Sequence, residues 1–262
     1  MLGAKRLLEL VEPQDLGGKQ RVVAHRNLCL GPPDAKHMSG GSQFAAAIRL
    51  LERVTGEPLI EASCQFRKSP KVGEELEIEI DHLRQGRSIT QAGMSLAINC
   101  EAGAKISASL GKRDDIGSHQ WWQAPNVPRA EDCEPLRFIR CDPGDQHGEL
   151  DFRFAAPPST LGPGQLSFWV RWDDEDPVSS PFLALLADYL PEANHWAIGR
   201  PAGALSLDNA IRIIARPRTE WVLCHAQLAA IADGLYHGEM RLYSAEGALL
   251  ALAHQSGVVR LF

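Results

Sequence analysis

The residue types that could carry chemistry exclude several reactions by their spacing. No G-x-S-x-G segment occurs, so a serine nucleophile on a strand-to-helix elbow is not expected. The nine histidines show no H-x-x-x-H spacing. The six cysteines, Cys29, Cys64, Cys100, Cys133, Cys141 and Cys224, form no C-x-x-C pair. Cys133, Cys141 and His147 are the densest such group, and their spacing fits no common zinc pattern. Reduced thiols, no bound metal and no cofactor are therefore expected. Gly40-Gly41 opens a helical run. A helix start presents free N–H groups at the positive end of its dipole, and glycine lets a carbonyl approach closely. A tight helix entry would explain the same two glycines. His37, with Asp34 three residues earlier, leaves open the acid–base pair of a hydration or dehydration. Arg67, Lys68 and Lys71 form a basic cluster beside Pro70, suited to phosphates or to a solvated loop.

The elements that must position these groups follow from periodicity. Phe44, Ala47, Ile48, Leu51 and Val54 make one apolar helical face, with Ser39 or Ser42 as cap and Gly56 as stop. Leu76, Ile78 and Ile80 then alternate with acids, which predicts a strand with one wet face. Gln85-Gly86-Arg87 turns, Met94, Leu96 and Ile98 alternate again, Glu101-Ala102-Gly103 turns, and Lys105 to Leu110 make a further strand. From 113 to 145 periodicity fades: Asp114-Asp115-Ile116-Gly117-Ser118 and prolines 125, 128 and 135 mark a linker. Trp121 and Trp122 in it are expected to pin it to the body rather than to stack on a ligand.

The second half repeats the pattern. Leu150, Phe152 and Phe154 alternate, then Leu166, Phe168, Val170 and Trp172. Ser180-Pro181 opens an apolar helix expected to end near Pro191. Strands are predicted at Leu207–Ile214, Trp221–Ala229, Gly238–Tyr243 and Ala248–Val259. Glu101-Ala102-Gly103 before one strand echoes Glu246-Gly247-Ala248 before another, a weak internal duplication. Two copies of a helix with an antiparallel sheet make an α+β protein. The expected units are 1–112, a linker over 113–145, and 146–262.

Composition sets the class. The chain has 262 residues, 27 Lys and Arg against 33 Asp and Glu, and a net charge of −6. Apolar residues make up 44% and charged residues 23%. These are values of a globular protein, and the acidic balance argues against nucleic-acid and anionic-membrane partners. Apolar runs such as Phe182–Ala187 fall far short of the roughly 20 residues that span a bilayer. The first dozen residues carry acids and read as a helix rather than a signal peptide, so a cytoplasmic location is expected.

A long helix wrapped by a curved antiparallel sheet is the hotdog fold, and two in one chain make a double hotdog. The sequence resembles the acyl-CoA thioesterase II family and its thioesterase-like relatives. The resemblance covers nearly the whole chain. In the first half it rests on Gly40-Gly41, the strand end from Phe66 to Pro70, and Leu83-Arg84-Gln85-Gly86-Arg87-Ser88. In the second half it rests on Leu207-Asp208-Asn209, Arg216-Pro217, Glu220-Trp221, Gly238-Glu239, Glu246-Gly247 and Gln255-Ser256-Gly257-Val258-Val259-Arg260. It implies hydrolysis of an acyl-CoA to a free acid and coenzyme A, and it allows a homodimer.

In that family, the resemblance implies, an Asp, a Gln and a Thr hydroxyl hold the attacking water. The Asp maps onto Asp208 and the Gln onto Gln255. The Thr has no match: Cys224-His225-Ala226-Gln227-Leu228-Ala229 carries no hydroxyl, which leaves Gln227 or His225 as the third contact, whichever faces inward. Read alone, Asp208 is a turn or strand-start residue bonding its own backbone. Gln255 shares a strand face with Ala253 and Gly257, small residues that leave room for a ligand, so it is expected inward and His254 outward. Gly40 and Gly41 are the expected substrate-side donors, together with Gln227. Two other activities stand beside hydrolysis: hydration or dehydration of a 2-enoyl thioester, and non-catalytic binding of an acyl thioester.

Overall fold

A computed structural model describes residues 1–113, 117–139, 141–172 and 175–262. Asp114, Asp115 and Ile116, in the expected linker, lie outside the described residues. The first half holds α1 (Ala4–Leu10), β1 (Gln14–Leu16), β2 (Lys19–Val23), β3 (Cys29–Leu30), β4 (His37–Met38), α2 (Gly40–Thr55), β5 (Leu59–Phe66), β6 (Glu75–Gln85), β7 (Ile89–Ile98) and β8 (Glu101–Gly111). The second half opens with α3 (Gln146–Glu149), β9 (Phe152–Ala156), α4 (Pro158–Leu161), β10 (Gln165–Arg171), α5 (Ser180–Ala187) and α6 (Glu192–Ile198). It ends with β11 (Ala202–Ser206), β12 (Asp208–Ile213), β13 (Trp221–Ala232), β14 (Leu235–Ser244) and β15 (Leu249–Leu261).

Thirteen of the described strands form one antiparallel sheet in the order β1-β2-β6-β7-β8-β5-β12-β15-β14-β13-β10-β9, with β11 also on β15. The seam between halves is β5 against β12, where Cys64 faces Asn209 and Ala62 faces Ile211. Inside the sheet lie α2 and α5, packed on each other. Every residue of α5 is buried, and α2 buries Phe44, Ala47, Ile48 and Leu51. Val54, in the last turn of α2, is exposed. Ser39 caps α2 by accepting from the Ser42 N–H at 3.0 Å, and Gly56 ends it in the left-handed region at φ 69°.

Four local features differ from the periodicity reading. The turn between β7 and β8 is Asn99-Cys100, at φ 52° and 66°, and Glu101 already belongs to the strand. Asn tolerates that region, and Gly103 sits within the strand, where a Cβ would lie 2.9 Å from Ile98 Cδ1 and 3.2 Å from the Leu96 carbonyl oxygen. The helix expected from Ser180 to Pro191 breaks after Ala187. Asp188 and Tyr189 bond back only three residues, to the Leu185 and Leu186 carbonyls, and Pro191 starts a new helix. A proline withholds its N–H and disfavours helix before it. The strand expected at Leu207–Ile214 is β12, but an unexpected strand, β11, precedes it; both run along β15, offset by one residue: Ser206 faces Gly257, whereas Ala210 faces His254. Finally, the linker is held by tryptophans of the sheet as well as by its own Trp122. Trp169 and Trp221 pack with Ala130 and Cys133, and Trp169 Nε1 donates to the Pro128 carbonyl at 3.0 Å. Trp121 is 86% exposed, and Trp122 lies under the Arg241 guanidinium at 4.2 Å.

Candidate active site

The break after α5 leaves Asp188 at the helix end, partly exposed, against the start of α2. Three donors converge on its carboxylate. Gly41 N–H donates to Oδ2 at 2.7 Å, Gln255 Nε2 to Oδ1 at 2.6 Å, and Ser206 Oγ to Oδ1 at 3.1 Å. Gln255 Nε2 also donates to Ser206 Oγ at 3.1 Å. Asn209, fully buried, approaches the same carboxylate with an amide that is otherwise unpartnered. These groups come from four distant segments, and each arrives for a local reason.

Ser206 and Asn209 are three residues apart, so a regular strand would send them to opposite faces. The one-residue offset at Leu207 brings both inward, the usual effect of a β-bulge. Gln255 is inward and buried, and its neighbour His254 is exposed. The helix start can approach Asp188 only because it is glycine. A Cβ on Gly41 would lie 2.6 Å from the Leu185 carbonyl oxygen and 2.8 Å from Asp188 Cβ. One on Gly40 would lie 2.9 Å from Phe66 Cζ and 3.1 Å from Asp188 Oδ2. Gly41→Ala is therefore expected to destabilise the fold by about 1–3 kcal/mol, the usual cost of overpacking, read from urea denaturation. An unchanged midpoint would mean that the two helices part without cost.

Burial raises the Asp188 carboxyl above the ordinary aspartate range, and the Gly41, Gln255, Ser206 and Asn209 donors oppose it. Nearby Glu192, whose side chain is 22% exposed, is pushed up to about 8 by burial and then by Asp188. A carboxylate raised this way is a stronger base than one in water, and the donors keep it oriented. The N–H of Gly40 makes no hydrogen bond among the described residues.

The structure brings Gln255, Gly40 and Gly41 together and leaves Asp208 and Gln227 out. Asp208 turns away from the helices, since Asn209 and Ile211 are the buried residues of β12, and its Oδ1 accepts from the Ser256 backbone N–H at 2.6 Å. It serves as a backbone cap at the bulge. Gln227 lies on the sheet face opposite α5, because Cys224, Ala226 and Leu228 are the core-facing residues of β13. Its Nε2 donates to the Leu228 carbonyl at 2.9 Å. His225 shares that outer face and bonds Ser167 Oγ through Nδ1 at 2.8 Å. The hydroxyl that does reach the Asp188 carboxylate is that of Ser206, on β11. A carboxylate written as Ala187-Asp188-Tyr189 reads as helix interior, so periodicity alone does not single it out; the signal was Pro191 three residues on. His37 Nδ1 bonds the Ala35 carbonyl, and Asp34 is exposed. No three His, Cys, Asp or Glu side chains converge as metal ligands among the described residues. No described helix is long and apolar enough to cross a membrane.

Family models match over most of the chain: the acyl-CoA thioesterase N-terminal domain over residues 32–110 and the acyl-CoA thioesterase C-terminal domain over residues 118–259. No curated protein matches the sequence significantly. Among solved structures, the chain is similar to a candidate thioesterase of Novosphingobium aromaticivorans, at 28% identity and a TM-score of 0.84, covering 92% of this chain and 94% of that one. It is also similar to a hot dog fold protein of unknown function from Alicyclobacillus acidocaldarius, at 18% identity and a TM-score of 0.83, covering 98% of both. A third similar structure is the acyl-CoA thioesterase II TesB2 of Mycobacterium marinum, at 19% identity and a TM-score of 0.74, covering 98% of this chain and 97% of that one.

Proposed function

The chain belongs to the acyl-CoA thioesterase family and has the double hotdog fold, and on that premise we propose that it hydrolyses an acyl-CoA thioester with a water held by Asp188, Ser206 and Gln255. The observation that carries this reading is the convergence of Gly41 N–H, Gln255 Nε2 and Ser206 Oγ on one partly buried carboxylate. Asp188 accepts a proton from the water as its oxygen attacks the thioester carbon. The carbonyl oxygen becomes an oxyanion, and the Gly40 N–H at the positive end of α2 would receive it. Collapse of the tetrahedral species breaks the C–S bond, and the proton held by Asp188 passes to the departing thiolate. Charge, atoms and protons balance, and Asp188 ends as it began.

Gln255 has two tasks. Its Nε2 holds the carboxylate in orientation, and it lies beside the Ser206 hydroxyl that shares the water. The acyl chain would lie against the apolar core around α5, and the hydrophilic head outside.

The test is incubation of the purified protein with saturated acyl-CoAs of graded chain length and with their 2-enoyl and 3-hydroxy counterparts, following thiol release and double-bond absorbance together. Thiol release is expected without absorbance change. A change in absorbance without thiol release would turn the reading to hydration or dehydration. Tight binding with neither signal would leave a non-catalytic binder.

A further inference from the structure

Resting on that reading, we propose that Tyr236 is a positioning residue that fixes which end of the Gln255 side-chain amide faces Asp188. The Tyr236 phenol is fully buried and donates to Gln255 Oε1 at 2.9 Å. The other end of the same amide, Nε2, reaches Asp188 and Ser206. The two ends of a glutamine amide are nearly equal in size but opposite in hydrogen-bonding sense, so shape does not choose between them. A donor behind the oxygen does.

The ionised Asp188 also favours the amide N–H₂ in front. That help disappears when Asp188 takes the proton of the water, since a protonated carboxyl can itself donate to Oε1. A buried phenol, which burial holds protonated, keeps the donor end forward through that step. The ring occupies space that a glycine leaves. Tyr236 faces Gly257 across the β14–β15 ladder, and a Cβ on Gly257 would lie 2.5 Å from the ring Cε1 and 2.8 Å from the phenol oxygen. Gly257 thus leaves the space that puts the hydroxyl two residues along from Gln255.

Tyr236→Phe removes one oxygen and keeps the ring. It is expected to lower kcat about tenfold, the effect of losing one modest hydrogen bond, with KM changed less than about twofold. In a Gln255→Ala background the same substitution should have almost no further effect on kcat. A second readout does not need turnover: the ¹³C titration of the Asp188 carboxyl should move to higher pH in Tyr236→Phe, because a freed amide donates to it less of the time. The titratable groups that face Asp188 are Glu192 and Tyr189 beside it, Cys64 on β5 and Tyr236 on β14, and only the last is altered. An unmoved titration, or a kcat loss of equal size with and without Gln255, overturns the proposal. If the parent protein releases no thiol, the hydrolysis reading fails while the titration still decides the role of Tyr236.

Discussion

Asp188→Asn is expected to lower turnover of a good acyl-CoA by about 10²–10⁴-fold, the usual range for losing a positioned base. Asparagine keeps the size of the side chain but cannot take the proton of the water. KM should move little, because the substitution leaves the apolar core around α5 intact. The folded Asp188 carboxyl sits above its unfolded value, so its contribution to stability is full below the ordinary aspartate range and is lost as pH rises through the folded pKa. The variant lacks that loss. Its stability relative to the parent should therefore increase between a pH in the ordinary aspartate range and neutral pH, against a fixed cost of about 1–3 kcal/mol where the new amide N–H₂ faces the Gly41 N–H. The measurements are steady-state turnover and urea denaturation at both pH values. Asp208→Asn is the control. Its oxygen can still accept from Ser256 N–H, so turnover should change less than about twofold. A folded Asp188→Asn with full turnover removes it from the mechanism, and a damaging Asp208→Asn moves the site to β12.

Gln255→Ala is the second large effect, expected to cost about 10²–10³-fold in kcat, the range for one oriented donor in a desolvated site. It removes the donor to Asp188 Oδ1, the donor to Ser206 and the acceptor of Tyr236 at once. His254→Ala is expected to leave kcat within about twofold, since His254 is exposed on the opposite face. If His254→Ala were the more damaging of the two, the inward face of β15 would not be the catalytic face. Gln255→Glu offers a further distinction. It preserves the Tyr236 contact but sets a second carboxylate against Asp188, so the Asp188 titration should move up even though the phenol is intact.

The elements were largely legible in the sequence. Phe44, Ala47, Ile48 and Leu51 at helical spacing, and Leu76, Ile78, Met94, Leu96 and Ile98 at a spacing of two, are buried where periodicity places them. The inward face of Gln255 followed from alternation together with the small residues Ala253 and Gly257 on its face, because that strand is regular there. Local rules reach so far because burial repeats with the geometry of the backbone. They stop where the backbone departs from a period. The Pro191 break converts Asp188 from an apparent helix residue into a helix end, and the offset at Leu207 turns Ser206 inward and Asp208 outward. The resemblance maps its Asp onto Asp208 and finds no match for its hydroxyl, and neither local period nor resemblance points to Asp188 or Ser206. The site itself is a meeting of α2, α5, β11 and β15, residues up to 214 positions apart between Gly41 and Gln255. Such a meeting is decided by how two helices pack inside one sheet, and in particular by Gly40 and Gly41, whose missing side chains let the start of α2 reach a carboxylate that only the tertiary structure supplies.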